Sequence, residues 1–158
     1  LALAISLFIL QNYEIAIASL CLAFASLAFY KYHKFPSRIF PGDSGALALG
    51  ATYGTLAIVG QVEVIAAIAI LPAIINSFLF LSSMKRIVEH REIKNPTFRN
   101  DELKIQTTDD EDAPITLLRL IIAKKPLSEK HTTIEILKLS MFSGILAVIT
   151  AFFMGVEI

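Results

Sequence analysis

Apolar runs joined by short connections, with every lysine and arginine confined to alternate connections, restrict this chain to one broad class of fold. Ile15 to Tyr30, Ala46 to Gln61, Val64 to Met84 and Ile134 to Val156 read as membrane-spanning helices. Leu1 to Leu10 is equally apolar, but ten residues of helix reach only ~15 Å, about half the hydrocarbon core. It reads as the end of a truncated span. Inside hydrocarbon every backbone polar group must be paired within the protein, so these segments have to be helical. A composition that is 55% hydrophobic, with mean hydropathy +0.66, exceeds what an ordinary soluble domain carries. The expectation is an all-α polytopic membrane protein of about five spans.

Details within the spans support this reading. Tyr13 and Tyr32 flank the second span as interfacial aromatics. Ala46, Gly50 and Gly54 recur every fourth residue, the small-residue spacing that lets helices approach closely. Pro72 is expected to kink the fourth span. Asn76, polar at mid-span, suits an interhelical hydrogen bond.

Charge sets the topology. All 14 Lys and Arg fall within Lys31 to Arg38, Lys85 to Lys130, or at Lys138. The connections Gln11 to Glu14 and Gly60 to Glu63, and the tail from Gly155, carry none. The positive-inside rule then places the 31–38 and 85–133 segments in the cytoplasm. The net charge is zero, so a general basic character cannot produce this asymmetry, and nucleic-acid binding is not expected. Cys21 is the sole cysteine, which excludes an internal disulfide or a cysteine metal site. No basic n-region precedes the first apolar run, so it is not a complete signal peptide. The chain reads as a piece of a longer one.

The expected organisation is four spans over residues 1–84, a cytoplasmic segment over 85–133 and a last span over 134–158. Within the cytoplasmic segment, Asn95 to Gln106 suggests a short hairpin turning at Arg99-Asn100-Asp101. Asp109 to Asp112 is an acidic run, read as a solvated loop. Pro114 to Ala123 suggests a helix too short to span, lying along the interface.

The chemistry-bearing stretch is Pro41-Gly42-Asp43-Ser44-Gly45, between a basic segment and an apolar run. Asp43 is the only acid between Glu14 and Glu63. An ionisable group at the edge of a span is a functional candidate by default, because burying its charge without a partner costs several kcal/mol, on the order of 3 or more. Asp43 could hold a hard cation such as Mg²⁺. Equally, Asp43 or Ser44 could cap the following helix.

Pro36-Ser37-Arg38-Ile39-Phe40-Pro41-Gly42-Asp43-Ser44 resembles the Pro-Ser-Arg-Val-Phe-x-Gly-Asp-Thr stretch of the eukaryotic UDP-N-acetylglucosamine–dolichyl-phosphate N-acetylglucosamine-1-phosphotransferases. Gly-Asp-Ser-Gly followed by Ala-Leu-Ala-Leu-Gly is also similar to the bacterial phospho-N-acetylmuramoyl-pentapeptide transferases. Glu89-His90-Arg91 resembles the Arg-His-Arg motif of the eukaryotic enzymes, with Glu89 where they have arginine. The hairpin and interfacial helix fit the eukaryotic pattern. The chain is thus identified as a member of the polyprenyl-phosphate N-acetylhexosamine-1-phosphate transferase superfamily. The family's Asp-Asp-x-x-Asn and Asn-x-x-Asn-x-x-Asp-Gly motifs are absent, and in the family both lie in the N-terminal half. The chain therefore resembles the C-terminal half of a roughly ten-span enzyme.

The resemblance implies transfer of N-acetylglucosamine 1-phosphate from UDP-GlcNAc to dolichyl or polyprenyl phosphate, with release of UMP, as the first step of lipid-linked oligosaccharide assembly. It implies Asp43 as a Mg²⁺ ligand, with Mn²⁺ as a substitute, and leaves the cap to Ser44. It implies His90 and Arg91 on the pyrophosphate or sugar, against the plainer reading of a basic pair at a membrane edge. Phe40 would pack on the uracil or anchor at the interface, the two readings standing level. Arg38, with Lys34 and Lys31, would draw in the anionic substrate, although positive-inside anchoring also explains them. His33 and His131 read as interfacial. The partners implied are UDP-GlcNAc, the lipid phosphate, the membrane and the enzyme's N-terminal half; a homodimer is compatible. The location is an archaeal plasma membrane or the endoplasmic reticulum, with the active loops cytoplasmic. The alternatives are a bacterial-type undecaprenyl or muramoyl-pentapeptide transferase and, from other classes, a transporter subunit or a non-catalytic scaffold.

Overall fold

The computed structural model describes residues 1–84, 96–99, 104–108, 113–123 and 125–156. Helices α1 (Ala2–Ile9), α2 (Tyr13–His33), α3 (Gly42–Val59), α4 (Glu63–Ala69) and α5 (Leu71–Met84) are followed by strands β1 (Thr97–Arg99) and β2 (Lys104–Thr107). Helix α6 (Leu117–Ile122), strand β3 (Leu127–Ser128) and helix α7 (Glu129–Val156) complete the order. The chain is an all-α polytopic membrane protein carrying one small sheet. Among the described residues α2 and α7 are each long and apolar enough to cross a membrane, and α4 with α5 make a third crossing if taken together. The other expected spans are α1, which has 8 residues, and α3, whose 18 residues open on Gly-Asp-Ser-Gly.

Two compact units form, Leu1–Ile70 with Phe142–Ile158, and Leu71–Met141. In the first, α1 doubles back as α2 and α3 as α4 through the same device. Asn12 N–H donates to Leu7 O and Gln11 N–H to Phe8 O; Val62 N–H donates to Ala57 O and Gln61 N–H to Ile58 O. This is the Schellman pattern, in which the otherwise orphaned last carbonyls of a helix are satisfied by the turn itself. Gln11 and Gln61 take the left-handed position, at φ 59° and 56°. The core is built from Leu3, Leu7, Ala16, Ala57, Val62 and Ile65, with Ala147 and Ala151 from α7.

Lipid is as apolar as leucine, so close packing rather than water exclusion holds such helices together. Gly60 shows how close. A Cβ there would stand 2.8 Å from Leu7 Cδ2 and 2.8 Å from Leu56 O. A Cβ at Gly155 would meet Ile9 and Leu10 at 3.6 Å. The two corners and Gly155, three places without lysine or arginine in the sequence, thus lie around the same end of α1. Tyr53 adds a polar tie, its hydroxyl donating to Ala66 O at 2.9 Å.

Several helix limits differ from the sequence-based expectation. Helix α3 begins at Gly42, four residues before Ala46, because Pro41 takes the cap position and Gly42 turns through φ +63°, a conformation glycine adopts without a steric penalty. Asp43 and Ser44 therefore lie inside the helix, and Ser44 is not its cap. Among the described residues the small-residue stripe on α3 has no partner: Gly50 and Gly54 have open space beside them and Ala46 is exposed. The kink expected at Pro72 is a full break at Ile70, with Pro72 the second residue of α5. Proline cannot donate to the carbonyl four residues back, and its ring crowds that turn.

The second unit holds α5, the sheet, α6 and the start of α7. β1 and β2 pair antiparallel, with Phe98 opposite Gln106. The expected hairpin is present, but Arg99, expected in its turn, is the last residue of β1 and pairs with Ile105, and Asn100 and Asp101 lie outside the described residues. β3 adds beside β2, with Leu127 opposite Ile105. Helix α6 covers less than the expected 114–123 stretch. Thr116 caps it by accepting from Arg119 N–H at 3.2 Å, leaving Pro114 outside. The chain before α6 is fastened to α5: Ser83 Oγ accepts from Ile115 N–H at 2.9 Å, and Asn76 Oδ1 from Leu117 N–H at 2.8 Å. Asn76 thus serves as the second acceptor at the start of a helix, where backbone donors lack intrahelical partners. Helix α7 starts five residues ahead of Ile134, because Ser128 Oγ accepts from His131 N–H at 3.4 Å and so caps it.

Candidate functional site

The connection from α2 to α3 and the first turn of α3 together carry three of the five expected site residues. The connection is closed by its own backbone and by one histidine. Lys34 N–H donates to Tyr30 O, ending α2, and Arg38 N–H reaches back to Tyr32 O at 3.0 Å. His33 Nδ1 lies 3.0 Å from Ile39 O. Ser37 Oγ donates to the same carbonyl at 3.3 Å. The His33 ring stacks on Phe29 at 5.6 Å and meets the Phe40 ring edge-on at 5.7 Å. Phe29 and His33 are four residues apart on α2, the spacing that puts side chains on one helical face.

This loop delivers Arg38, Phe40 and Asp43 to one exposed stretch. Phe40 is 73% exposed, more than any other phenylalanine among the described residues. Asp43 is exposed in the first turn of α3, where unsatisfied N–H groups favour a negative charge by about 0.3–1 kcal/mol. Among the described residues no three His, Cys, Asp or Glu side chains form a metal cage. A lone carboxylate still suits Mg²⁺, which takes one or two protein carboxylates and completes its shell with substrate phosphates and water. The donor set therefore fits a metal that arrives with a phosphorylated substrate.

His90 and Arg91, with Glu89, lie outside the described residues. Two residues that sequence reasoning did not place in a site emerge from the structure. His33, read as interfacial, is the residue against which Phe40 rests. Arg119 lines an open groove of about 420 Å³ with Thr107, Ile115, Leu120 and Ala123. It also donates to Ala113 O at 2.7 Å and Thr108 O at 3.1 Å. The available signal for His33 was the aromatic residue one turn before it. For Arg119 it was a single cation in an otherwise aliphatic run.

The profile of glycosyl transferase family 4 matches residues 1–61, the stretch that contains Arg38, Phe40 and Asp43. A Methanocaldococcus jannaschii protein provisionally named as a glycosyltransferase is 30% identical over 151 residues, covering 94% of this chain and 48% of that protein. A phospho-N-acetylmuramoyl-pentapeptide-transferase of Clostridium beijerinckii is 47% identical over 53 residues, 34% of this chain and 16% of the enzyme. One from Clostridium botulinum is 44% identical over 48 residues, 30% and 15%. The chain spans about half the length of the first of these relatives, and far less of the two transferases is matched. No solved structure matches.

Proposed function

We propose that this chain is part of an integral membrane glycosyl-1-phosphate transferase that moves N-acetylglucosamine 1-phosphate from UDP-GlcNAc to dolichyl or polyprenyl phosphate. The observation that carries the reading is a coincidence of two kinds of signal. The stretch that matches glycosyl transferase family 4 is also the one that presents an aromatic ring, a cation and a carboxylate together at the end of α2.

In the reaction an oxygen of the lipid phosphate forms a bond to the β-phosphorus of the nucleotide sugar. The bond between that phosphorus and the bridging oxygen breaks, and UMP leaves with the electron pair. Such transfers depend on positioning and on neutralising spread negative charge. Phe40 offers a face for uracil stacking. Arg38 offers the forked donors that match phosphate oxygens. Asp43 would hold Mg²⁺, which when bound neutralises charge on the pyrophosphate. His90 and Arg91 are assigned to the phosphate or sugar end on the resemblance of their motif. The distribution of lysine and arginine supports a cytoplasmic location for the active loops.

A second reading has its own support. The named transferases among the relatives act on phospho-N-acetylmuramoyl-pentapeptide. The deciding experiment is UMP release by the full-length protein in membranes, with polyprenyl phosphate as acceptor, from UDP-GlcNAc and from the UDP-muramoyl-pentapeptide. Release from UDP-GlcNAc alone upholds the first reading, and release from the pentapeptide alone replaces it with the second. No metal-dependent release from either refutes both.

A further inference from the structure

We propose that His33 is a positioning residue for the nucleotide end of the substrate, holding the Phe40 ring in place; this rests on the function proposed above. His33 makes three directional contacts, where a side chain that merely marked a membrane edge needs none. Its Nδ1 faces the Ile39 carbonyl at 3.0 Å. A carbonyl only accepts, so Nδ1 carries the hydrogen. That bond runs from the last residue of α2 to the residue before Phe40 and closes the loop over six positions. The ring is stacked on Phe29, which belongs to α2 and fixes its plane. Its other neighbour is the ring of Phe40 itself.

Phe40 has little else to hold it. It is 73% exposed, and the His33 ring is its one aromatic neighbour among the described residues. Pro41 and Gly42 follow directly and start α3, so the bond at Ile39 also orients the turn that presents Asp43. His33 touches neither substrate nor metal in this scheme. It acts through the aromatic ring and the loop. Losing it should loosen binding of the uridine end while leaving the lipid end alone.

The test uses two variants of the full-length protein. His33→Phe keeps a ring on Phe29 but removes the donor. His33→Asn puts an amide N–H where Nδ1 stood and removes the ring. The expected result for His33→Phe is a KM for the nucleotide sugar about five-fold higher, the equivalent of one ordinary hydrogen bond, with kcat and the KM for lipid phosphate within about two-fold of wild type. His33→Asn should recover part of that loss. A purely structural role would instead lower the amount of active protein, reducing turnover at unchanged KM, and that result overturns the proposal. Hydrogen exchange of residues 34–41 supplies a readout independent of activity, and His33→Phe should speed it. Unchanged exchange overturns the positioning role whatever the substrate. Faster exchange in a protein that neither binds a uridine nucleotide nor releases UMP refutes the functional reading and leaves the anchoring of the loop standing.

Discussion

Replacing Gly60 with alanine should destabilise the first unit, although most glycine-to-alanine changes in helical protein do the opposite. Gly60 has ordinary right-handed backbone angles, φ −78° and ψ −8°. Alanine fits there without strain and, by restricting the unfolded chain, should stabilise by ~0.4–1 kcal/mol. Against this stands the new methyl group, 2.8 Å from Leu56 O and 2.8 Å from Leu7 Cδ2. Neither neighbour yields easily. Leu56 O belongs to the backbone and already accepts the Gly60 N–H at 3.0 Å. Leu7 is fully buried, so its side chain has nowhere to swing. Overpacking of this kind costs ~1–3 kcal/mol, leaving a net loss on the order of 1–2 kcal/mol. Gly50 is the internal control, since it lies within α3 with nothing inside 4 Å of an added Cβ, and Gly50→Ala should gain up to ~1 kcal/mol from helix propensity. The assay is the unfolding midpoint of this chain in mild detergent titrated with a denaturing one. Gly60→Ala should move it down and Gly50→Ala up. Equal midpoints, or a Gly60→Ala protein as stable as wild type, would refute the packing argument.

Three further outcomes are expected. Asp43→Asn in the full-length protein should cut UMP release ~100-fold or more, the scale seen when one charge-stabilising group is removed; the midpoint should fall by no more than the ~0.3–1 kcal/mol of the charge at the helix end, because Pro41 and not Asp43 occupies the cap, and near-wild-type turnover would remove Asp43 from the site. Asn76→Leu should leave the Leu117 N–H without its acceptor at a cost of ~1–3 kcal/mol, seen as faster hydrogen exchange over residues 115–119; unchanged protection there would show that α6 does not depend on α5. Single cysteines at Ser37 and Glu63, introduced after Cys21→Ser, flank α3 and should label from opposite membrane faces; labelling from one face would end the five-span arrangement.

What could be read from the sequence divides along physical lines. Helix α2 was visible because a continuous apolar run in hydrocarbon has no alternative to helix. Its limits were less visible, since Tyr13 and Lys31 to His33 suit either the last turns or the flanks. The start of α3 was misplaced because Gly-Asp-Ser-Gly reads as a turn. The decision lay in Pro41 and the backbone of Gly42, neither of which carries a periodic signal. The β1–β2 hairpin is local and was found. β3 was missed because its two residues pair with a strand more than twenty positions earlier. Asn76 was correctly read as a hydrogen-bonding residue, but its partner, 41 residues away, has no sequence mark. Asp43, Phe40 and Arg38 were found by motif, and the structure keeps them adjacent because they are neighbours in the chain. His33 needed the closed loop to give it meaning. The spacing of Ala46, Gly50 and Gly54 announced a close helix contact that these residues do not make among the described residues.

The two Schellman corners have a consequence for how the protein can be altered. Each joins two helices in three residues, with its amides already engaged and one glutamine in a left-handed conformation. Proteases, modifying enzymes and inserted tags all need slack chain, and neither corner provides any. The α2–α3 connection is longer, and much of it is exposed. Epitopes, cleavage sites or length changes should therefore be rejected by the fold at the corners, whereas in the α2–α3 connection they would leave the helices intact and displace Arg38 and Phe40. A change of substrate preference within this unit would accordingly have to be written beside Arg38, Phe40 and Asp43.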